Sequence, residues 1–152
     1  MDLPPGYRIG FEERPAGRDS DALGVGLDEY NREFLGPTEL HRVAIFVRDE
    51  AGTVRGGLDG HVYGGWLFVK YLWVRADLRR HGIGRELMAQ AERRALEVGA
   101  HSVWLDTFSF QAPGFYQKLG YREFGRLDFP PEHQRIFLQK LLSREPPHAD
   151  AS

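Results

Sequence analysis

A cluster of arginines beside two glycines contains the residue types in this sequence that point most directly to chemistry. The cluster consists of Arg79, Arg80, His81, Gly82, Ile83, Gly84 and Arg85. If a helix begins here, its first backbone N–H groups are unpaired and its N-terminus carries about half a positive charge, and both attract a phosphate. The glycines lack the Cβ atoms that would hold a phosphate away from these amides, and the guanidinium groups add paired donors. The residues therefore predict a pyrophosphate-binding turn.

Other phosphate-binding motifs fit the same residues less well. A Walker loop ends in Gly-Lys-Ser/Thr, which does not occur here, and a dinucleotide-binding fingerprint needs a third glycine where the chain has Leu87. A solvated arginine-rich loop in front of a glycine-opened helix also accounts for the segment when it is taken alone. At this point the sequence leaves both interpretations open, a binding turn and a surface loop.

The hydrophobic pattern on both sides of the cluster predicts the elements that position it. Before the cluster, residues 66–74 (WLFVKYLWV) are almost continuously apolar, which is typical of a central strand buried on both faces. After it, apolar residues recur at steps of four from Ile83 to Ala95, so they form one face of an amphipathic helix that Gly99 ends. A further strand over 102–108 would complete a right-handed strand–helix–strand unit.

The rest of the chain supplies more strands and two more helices. The order is β-α-β-β-β-α-β-α-β-β, which predicts an α+β fold around a central mixed sheet of six or seven strands. We expect a single domain over residues 1–143 and a disordered tail over 144–152. The predicted strands lie at 7–11, 41–48, 54–63, 66–74, 102–108, 121–127 and 134–142, and the predicted helices at 19–35, 83–98 and 112–119.

The composition excludes several classes of function. The 152 residues include 20 Lys and Arg against 22 Asp and Glu, a balance that argues against a dedicated nucleic-acid binder. The absence of cysteine excludes a thiolate metal site and an acyl-enzyme on sulfur, and no metal site is predicted. The chain shows neither an apolar run of roughly 18 residues nor a signal peptide, so we expect a cytoplasmic protein with no membrane partner.

Two motifs together carry a resemblance to a known family. The spacing Arg79-x-x-Gly82-x-Gly84 after a buried strand resembles the acyl-CoA signature of the GNAT superfamily of N-acyltransferases. Residues 112–121 (APGFYQKLGY) resemble the family's second motif, which lies about thirty residues further along. The order of elements from Tyr7 to Leu142 is similar to the family fold as well. The resemblance implies an N-acetyltransferase that uses acetyl-CoA.

The resemblance also implies roles for particular residues. The pantetheine arm would lie along the backbone of Leu72, Trp73 and Val74, and the phosphates along residues 79–85. Tyr116 would protonate the departing thiolate as a general acid and contact the cofactor. Ser109 stands where many relatives have an asparagine that binds pantetheine, and its hydroxyl would take over that contact.

The base and the acceptor are less defined. An ammonium acceptor must lose a proton before it attacks the thioester directly, and Asp106 is the leading candidate base, followed by His61 and Asp59. No long acidic groove is evident, which favours a small-molecule amine over a basic peptide. A non-catalytic module that binds CoA or another phosphorylated ligand as a sensor is the alternative, and homodimerisation, common in the family, stays open. The candidate acceptor-binding residues are Glu29, Tyr30, Glu33, Tyr71 and His133.

Overall fold

The structure, a computed structural model, describes residues 2–143. The predicted disordered tail over 144–152 lies outside the described residues. The chain divides into two compact units between Thr38 and Glu39, and each is described by itself. The expectation of one domain over 1–143 stays a prediction. None of the helices within residues 2–143 is both long and apolar enough to cross a membrane.

The first unit contains one helix, α1 (Gly17–Leu35). Gly36, at φ 72°, ends it, as the predicted helix stop requires. The rings of Tyr30 and Phe34 on one helical face lie 5.4 Å apart. The strand predicted over 7–11 is wrong, because this segment pairs with no strand and its side chains are exposed. Alternating apolar residues form a strand only where a neighbour takes their N–H and C=O groups.

The second unit is a six-stranded mixed sheet with the order β1-β2-β3-β4-β6-β5. All neighbouring strands are antiparallel except β3 and β4, which are parallel as the crossover requires. The α+β class and the six-stranded mixed sheet confirm the predicted fold. The strands are β1 (His41–Arg48), β2 (Val54–Tyr63), β3 (Trp66–Val74), β4 (Ser102–Phe108), β5 (Arg122–Phe129) and β6 (His133–Leu141), and the helices are α2 (Ile83–Glu97) and α3 (Pro113–Lys118).

Helix α2 connects β3 to β4 and packs on one face of the sheet. Its stripe of Leu87, Met88, Ala91 and Ala95 is buried, and the two alanines have no exposed surface. Small alanine side chains let the helix axis approach the sheet closely, and the stripe shares one core with the fully buried β-strand residues Leu67, Val103, Leu105 and Leu138. This packing fixes where the N-terminus of α2 lies relative to the end of β3.

Strands β3 and β4 separate part-way along their length. Their pairing runs from Trp66↔Ser102 to Val69↔Leu105 and then stops. At the same point the pairing of β3 with β2 skips Lys70, because Val69 pairs with Gly60 and Tyr71 with Asp59. A single extra residue is a β-bulge, which bends a strand. The prediction that β3 is buried on both faces is therefore wrong beyond Val69, since Lys70, Tyr71 and Trp73 are exposed.

Candidate functional site

A cleft of about 950 Å³ opens where β3 and β4 separate. This volume is at the upper end of the range for small-molecule sites. Helices α2 and α3 and the loops before them complete its walls. Twelve of the residues predicted from the sequence line it: Tyr71, Leu72, Trp73, Val74, Arg79, Arg80, Gly82, Ile83, Gly84, Arg85, Asp106 and Tyr116.

The N-terminus of α2 faces this cleft with unpaired amides. The first bond of the helix is the one that the Glu86 N–H donates to the Gly82 carbonyl, at 3.0 Å. The N–H groups of Ile83, Gly84 and Arg85 precede it, so they have no acceptor within the helix. Gly82 has a φ of 77°, in the left-handed region that only glycine adopts at little cost. The predicted phosphate-binding turn therefore has the geometry that an anion requires.

Two of the arginines in this turn are free to meet an anion. The side chains of Arg80 and Arg85 form no ion pair or hydrogen bond with any other residue of the described range 2–143. Arg79 instead donates from Nε to the Val74 carbonyl at 3.0 Å, which ties the loop to the end of β3. Arg75 is neutralised by Asp77 at 2.5 Å and lies outside the lining. The free positive charge is thus concentrated beside the helix N-terminus.

Two residues of the turn make contacts within the protein besides the predicted contact with a ligand, which stays a prediction. The Nδ1 of His81 lies 2.9 Å from the Arg79 carbonyl and 3.2 Å from the Leu78 carbonyl, so its ring holds the loop and is not part of the cleft lining. A Cβ added to Gly84 would lie 3.4 Å from Cζ of Phe115. Gly84 therefore permits the close approach of α2 and α3, in addition to exposing its own amide.

The edge of β3 presents backbone groups to the cleft. The Arg75 N–H donates to Arg55 of β2 at 2.9 Å, whereas the Val74 carbonyl points to Arg79. Because backbone groups alternate along a strand, those of Leu72 and Val74 are directed to the cleft and those of Trp73 to β2. Trp73 also lines the cleft, and 51% of the residue is exposed.

Tyr116 is a buried residue of α3 that lines the cleft. Its ring packs against Phe115 at 5.1 Å and Tyr121 at 5.9 Å, and only 8% of the residue is exposed. Burial, with a smaller contribution from the charge of Asp106, raises the pKa of Tyr116 to about 12. Its hydroxyl forms no hydrogen bond within residues 2–143, so it is a protonated donor without an acceptor.

Asp106 lies in the same cleft and is paired with Arg135. The Nε of Arg135 donates to Oδ1 of Asp106 at 2.7 Å, and this hydrogen bond raises the pKa of Arg135. Arg135 is a site residue that the sequence does not predict, because nothing in the pattern of β6 distinguishes it from a solvated charge. Only the register, which places Arg135 opposite Phe108, brings it beside Asp106. Asp106 therefore enters the site as half of an ion pair.

Three other predicted residues lie outside the cleft lining. The ring of His61 packs edge-on against Phe68, with centroids 5.5 Å apart. His133 begins β6, and its ring contacts Phe110 at 4.9 Å. Ser109 extends the β4–β6 ladder, since its N–H donates to the Gln134 carbonyl at 2.8 Å and its hydroxyl accepts from the Gln134 N–H at 3.0 Å.

The remaining candidate residues lie on strand β2 and on helix α1. Asp59 is paired with Arg42 at 3.1 Å on the strands β2 and β1. Glu29, Tyr30 and Glu33 lie on α1 in the first unit, and their contact with an acceptor stays a prediction.

Lys70 also lines the cleft and was not among the predicted site residues. It is the single charged residue in the apolar run 66–74, and this interruption is the signal that could have located the bulge.

Comparison with known proteins agrees with these features. Residues 11–121 match the Acetyltransferase (GNAT) family. The chain is 45% identical to blasticidin-S acetyltransferase of Streptomyces morookaense over 108 residues, which are 70% of this chain and 78% of that protein. An acetyltransferase crystal structure from Bacillus cereus superposes with a TM-score of 0.74 at 33% identity, over 87% of this chain and 97% of the other. A candidate acetyltransferase from Agrobacterium tumefaciens gives 0.82 at 27% identity, over 89% and 99%.

The arrangement joins three chemical capacities in one cleft. One end binds an anion through amides and guanidinium groups, the middle offers a hydroxyl donor, and the other end carries an ion pair among aromatic rings. A long ligand with a phosphate at one end would bring its opposite end to Tyr116 and Asp106.

Proposed function

The chain belongs to the GNAT family of acetyltransferases, and we propose that it transfers the acetyl group of acetyl-CoA to a primary amine of a small molecule by direct attack in a ternary complex. The observation that carries this proposal is the shared cleft. A helix N-terminus with free arginines, a strand edge with unpaired backbone groups and the hydroxyl of Tyr116 all line one opening.

The residues present fit acetyl-CoA. When bound, acetyl-CoA supplies an acetyl group activated as a thioester. The amides of Ile83, Gly84 and Arg85, with the guanidinium groups of Arg80 and Arg85, would bind its pyrophosphate. The backbone of Leu72 and the N–H of Val74, whose carbonyl accepts from Arg79, would hydrogen-bond the pantetheine arm as an added strand would. An N–H on this edge would also stabilise negative charge at the carbonyl oxygen.

Tyr116 would act on the departing sulfur. A thiol has an ordinary pKa of about 8.5, so a phenol whose pKa is raised to about 12 holds its proton more tightly than the thiol does. Tyr116 therefore stabilises the developing thiolate mainly by donating a hydrogen bond, and complete transfer of its proton is uphill. This limits its contribution to the lower end of acid–base effects, about 10–100-fold.

Asp106 would receive the proton of the attacking amine. It is the carboxylate of the cleft, and its Oδ2 has no hydrogen-bond partner within the described residues 2–143. His61 packs on Phe68 outside the lining, which favours Asp106 between the two candidate bases. The carboxylate of Asp106, with Oδ2 open, would attract an ammonium group and accept a hydrogen bond from it.

The acceptor is inferred to be a small molecule. The relative that is 45% identical acetylates blasticidin S, as its name states. The exposed rings of Tyr71, Trp73 and Phe110 at the cleft offer flat apolar surface for such a molecule. The proposal includes a cytoplasmic location, where acetyl-CoA is available as a metabolite.

The test is the release of free thiol from acetyl-CoA with a panel of amines. The panel combines antibiotic amines, polyamines, amino acids and a lysine-containing peptide, each measured with and without protein. We expect turnover with at least one small molecule and calorimetric binding of acetyl-CoA. Absence of binding at millimolar acetyl-CoA would contradict the proposal, and binding without turnover across the panel would favour the sensor.

A further inference from the structure

We propose that Arg135 is a recognition site for a carboxylate on the acceptor, so that the substrate is an amine with a carboxylate a few bonds away. This inference rests on the proposed acetyl transfer and names the chemical class of its acceptor. The site consists of Arg135 and Asp106 at the end of the cleft opposite the phosphate-binding turn.

The guanidinium of Arg135 has hydrogen-bond donors that are not used within residues 2–143. It uses Nε for Asp106, and neither Nη1 nor Nη2 donates to any group within residues 2–143. A guanidinium presents its N–H groups as a planar fork, which matches the two oxygens of a carboxylate. The pair leaves Oδ2 of Asp106 open as well. In one molecule that carries both groups, the ammonium would donate to Oδ2 of Asp106 and the carboxylate would accept from Nη1 and Nη2 of Arg135.

The surroundings strengthen this preference. The centre of the Arg135 guanidinium lies 5.9 Å from the Phe108 ring centroid and 5.8 Å from that of Phe137. Both distances lie within the range of a cation–π contact, so the two rings help to hold the guanidinium in place beside Asp106.

The charge at this end of the cleft is also unbalanced. Lys70 and Arg135 line the cleft with Asp106, so these side chains carry two positive charges and one negative charge. A simple ammonium acceptor would meet the excess positive charge, whereas an amine with a carboxylate supplies the missing negative charge. The geometry and the charge therefore favour the same acceptor class.

The experiment compares matched acceptors. β-Alanine is paired with β-alaninamide, and 4-aminobutanoate with its amide, and kcat/KM for each is measured by thiol release. The ratio of acid to amide in the native protein is divided by the ratio in Arg135→Met, which cancels the different basicity of the two amines. We expect this quotient to be about tenfold or more, with the KM for acetyl-CoA unchanged.

Two variants keep the comparison interpretable. Arg135→Lys keeps the charge beside Asp106 but loses the fork, so it replaces Arg135→Met if that variant does not fold, and its quotient should still be about threefold. Arg126→Met removes an arginine of the neighbouring strand that is paired with Glu123 outside the cleft lining. Its quotient should stay near one.

The outcomes distinguish a failure of the carboxylate site from a failure of the proposed acetyl transfer. Acetyl transfer to amines with a quotient near one for Arg135→Met would overturn the carboxylate site alone. Transfer to no amine of either panel would overturn the proposed function and this inference with it. If Arg126→Met abolished the preference for the acid over the amide as fully as Arg135→Met does, the assignment to Arg135 would also be overturned.

Discussion

The two ends of the cleft are built in opposite ways. The proposed phosphate-binding end is one continuous segment, residues 79–85, in which three main-chain amides lie beside the guanidinium groups of Arg80 and Arg85. The proposed acceptor end consists of side chains from three strands, with Lys70 on β3, Asp106 on β4 and Arg135 on β6. One end therefore depends on local backbone geometry, and the other depends on how distant strands are placed side by side.

This difference indicates at which end of the cleft side chains can be substituted to change the ligand that is bound. A backbone turn recognises any ligand with the same phosphate, and changes to most of its side chains leave the amides in place. Side chains on paired strands can be exchanged one by one, since the strands keep their register. We therefore expect a mutation at one end to affect one substrate and spare the other.

The strongest test reverses charge at the phosphate-binding end. In the double variant Arg80→Glu and Gly82→Glu, one guanidinium is lost and two carboxylates face the amides of α2. We expect the affinity for acetyl-CoA, measured by calorimetry, to fall by about 100-fold or more. Arg93→Glu is the control, since Arg93 is an exposed residue of the same helix outside the lining. Equal losses in both would mean that overall charge, not the turn, binds the cofactor.

The next test concerns the hydroxyl between the two ends. Tyr116→Phe should lower kcat by about 10–100-fold and leave the KM for acetyl-CoA within about twofold, because the hydroxyl acts only as the sulfur departs. Tyr63→Phe is a matched control, since the Tyr63 hydroxyl is buried without a hydrogen-bond partner within residues 2–143 and lies outside the lining. Full turnover in Tyr116→Phe would refute the proposed role.

The raised pKa of Tyr116 has a consequence for stability. The folded value of about 12 exceeds the ordinary value of 10.0, so the folded state keeps a proton that the unfolded chain loses first. The contribution of Tyr116 is complete below pH 10 and is lost as the pH rises towards 12, by up to about 2 kcal/mol. Urea unfolding between these pH values should show a steeper loss in the native protein than in Tyr116→Phe. Parallel curves would mean that the phenol is solvated.

The smallest expected effects separate two glycines of the turn. Gly82→Ala places a side chain at φ 77° and should cost about 1 kcal/mol and raise the KM for acetyl-CoA. Gly84→Ala brings a Cβ within 3.4 Å of the tip of the Phe115 ring, a contact that a small shift relieves. It should cost less than about 0.5 kcal/mol, with the KM within about threefold. Thermal unfolding and kinetics of both variants provide the measurement, and a larger KM effect at Gly84 would reverse this assignment.

The pattern of the sequence predicted most elements because their causes are local. Strands β2 and β3 begin and end at the predicted residues, since Gly64 and Gly65, at φ 57° and 83°, form the hairpin turn between them. The segment 7–11 shows the same alternation and forms no strand, because pairing depends on a neighbour that the pattern does not reveal. The bulge at Lys70 depends on the same strand pairing, and its trace in the sequence is the charge of Lys70 within an apolar run.

By itself, the sequence determined the phosphate-binding turn and the helix that begins in it. The arginines and glycines lie within residues 79–85, and neighbouring positions of the amphipathic stripe are one helical turn apart, so spacing along the chain sets their spacing in space. The tertiary structure alone decided the acceptor end. Residues Asp106 and Arg135 are 29 positions apart and come within 2.7 Å only because β6 pairs with β4 in one register. Side-chain chemistry across strands depends on that register, which the whole sheet sets.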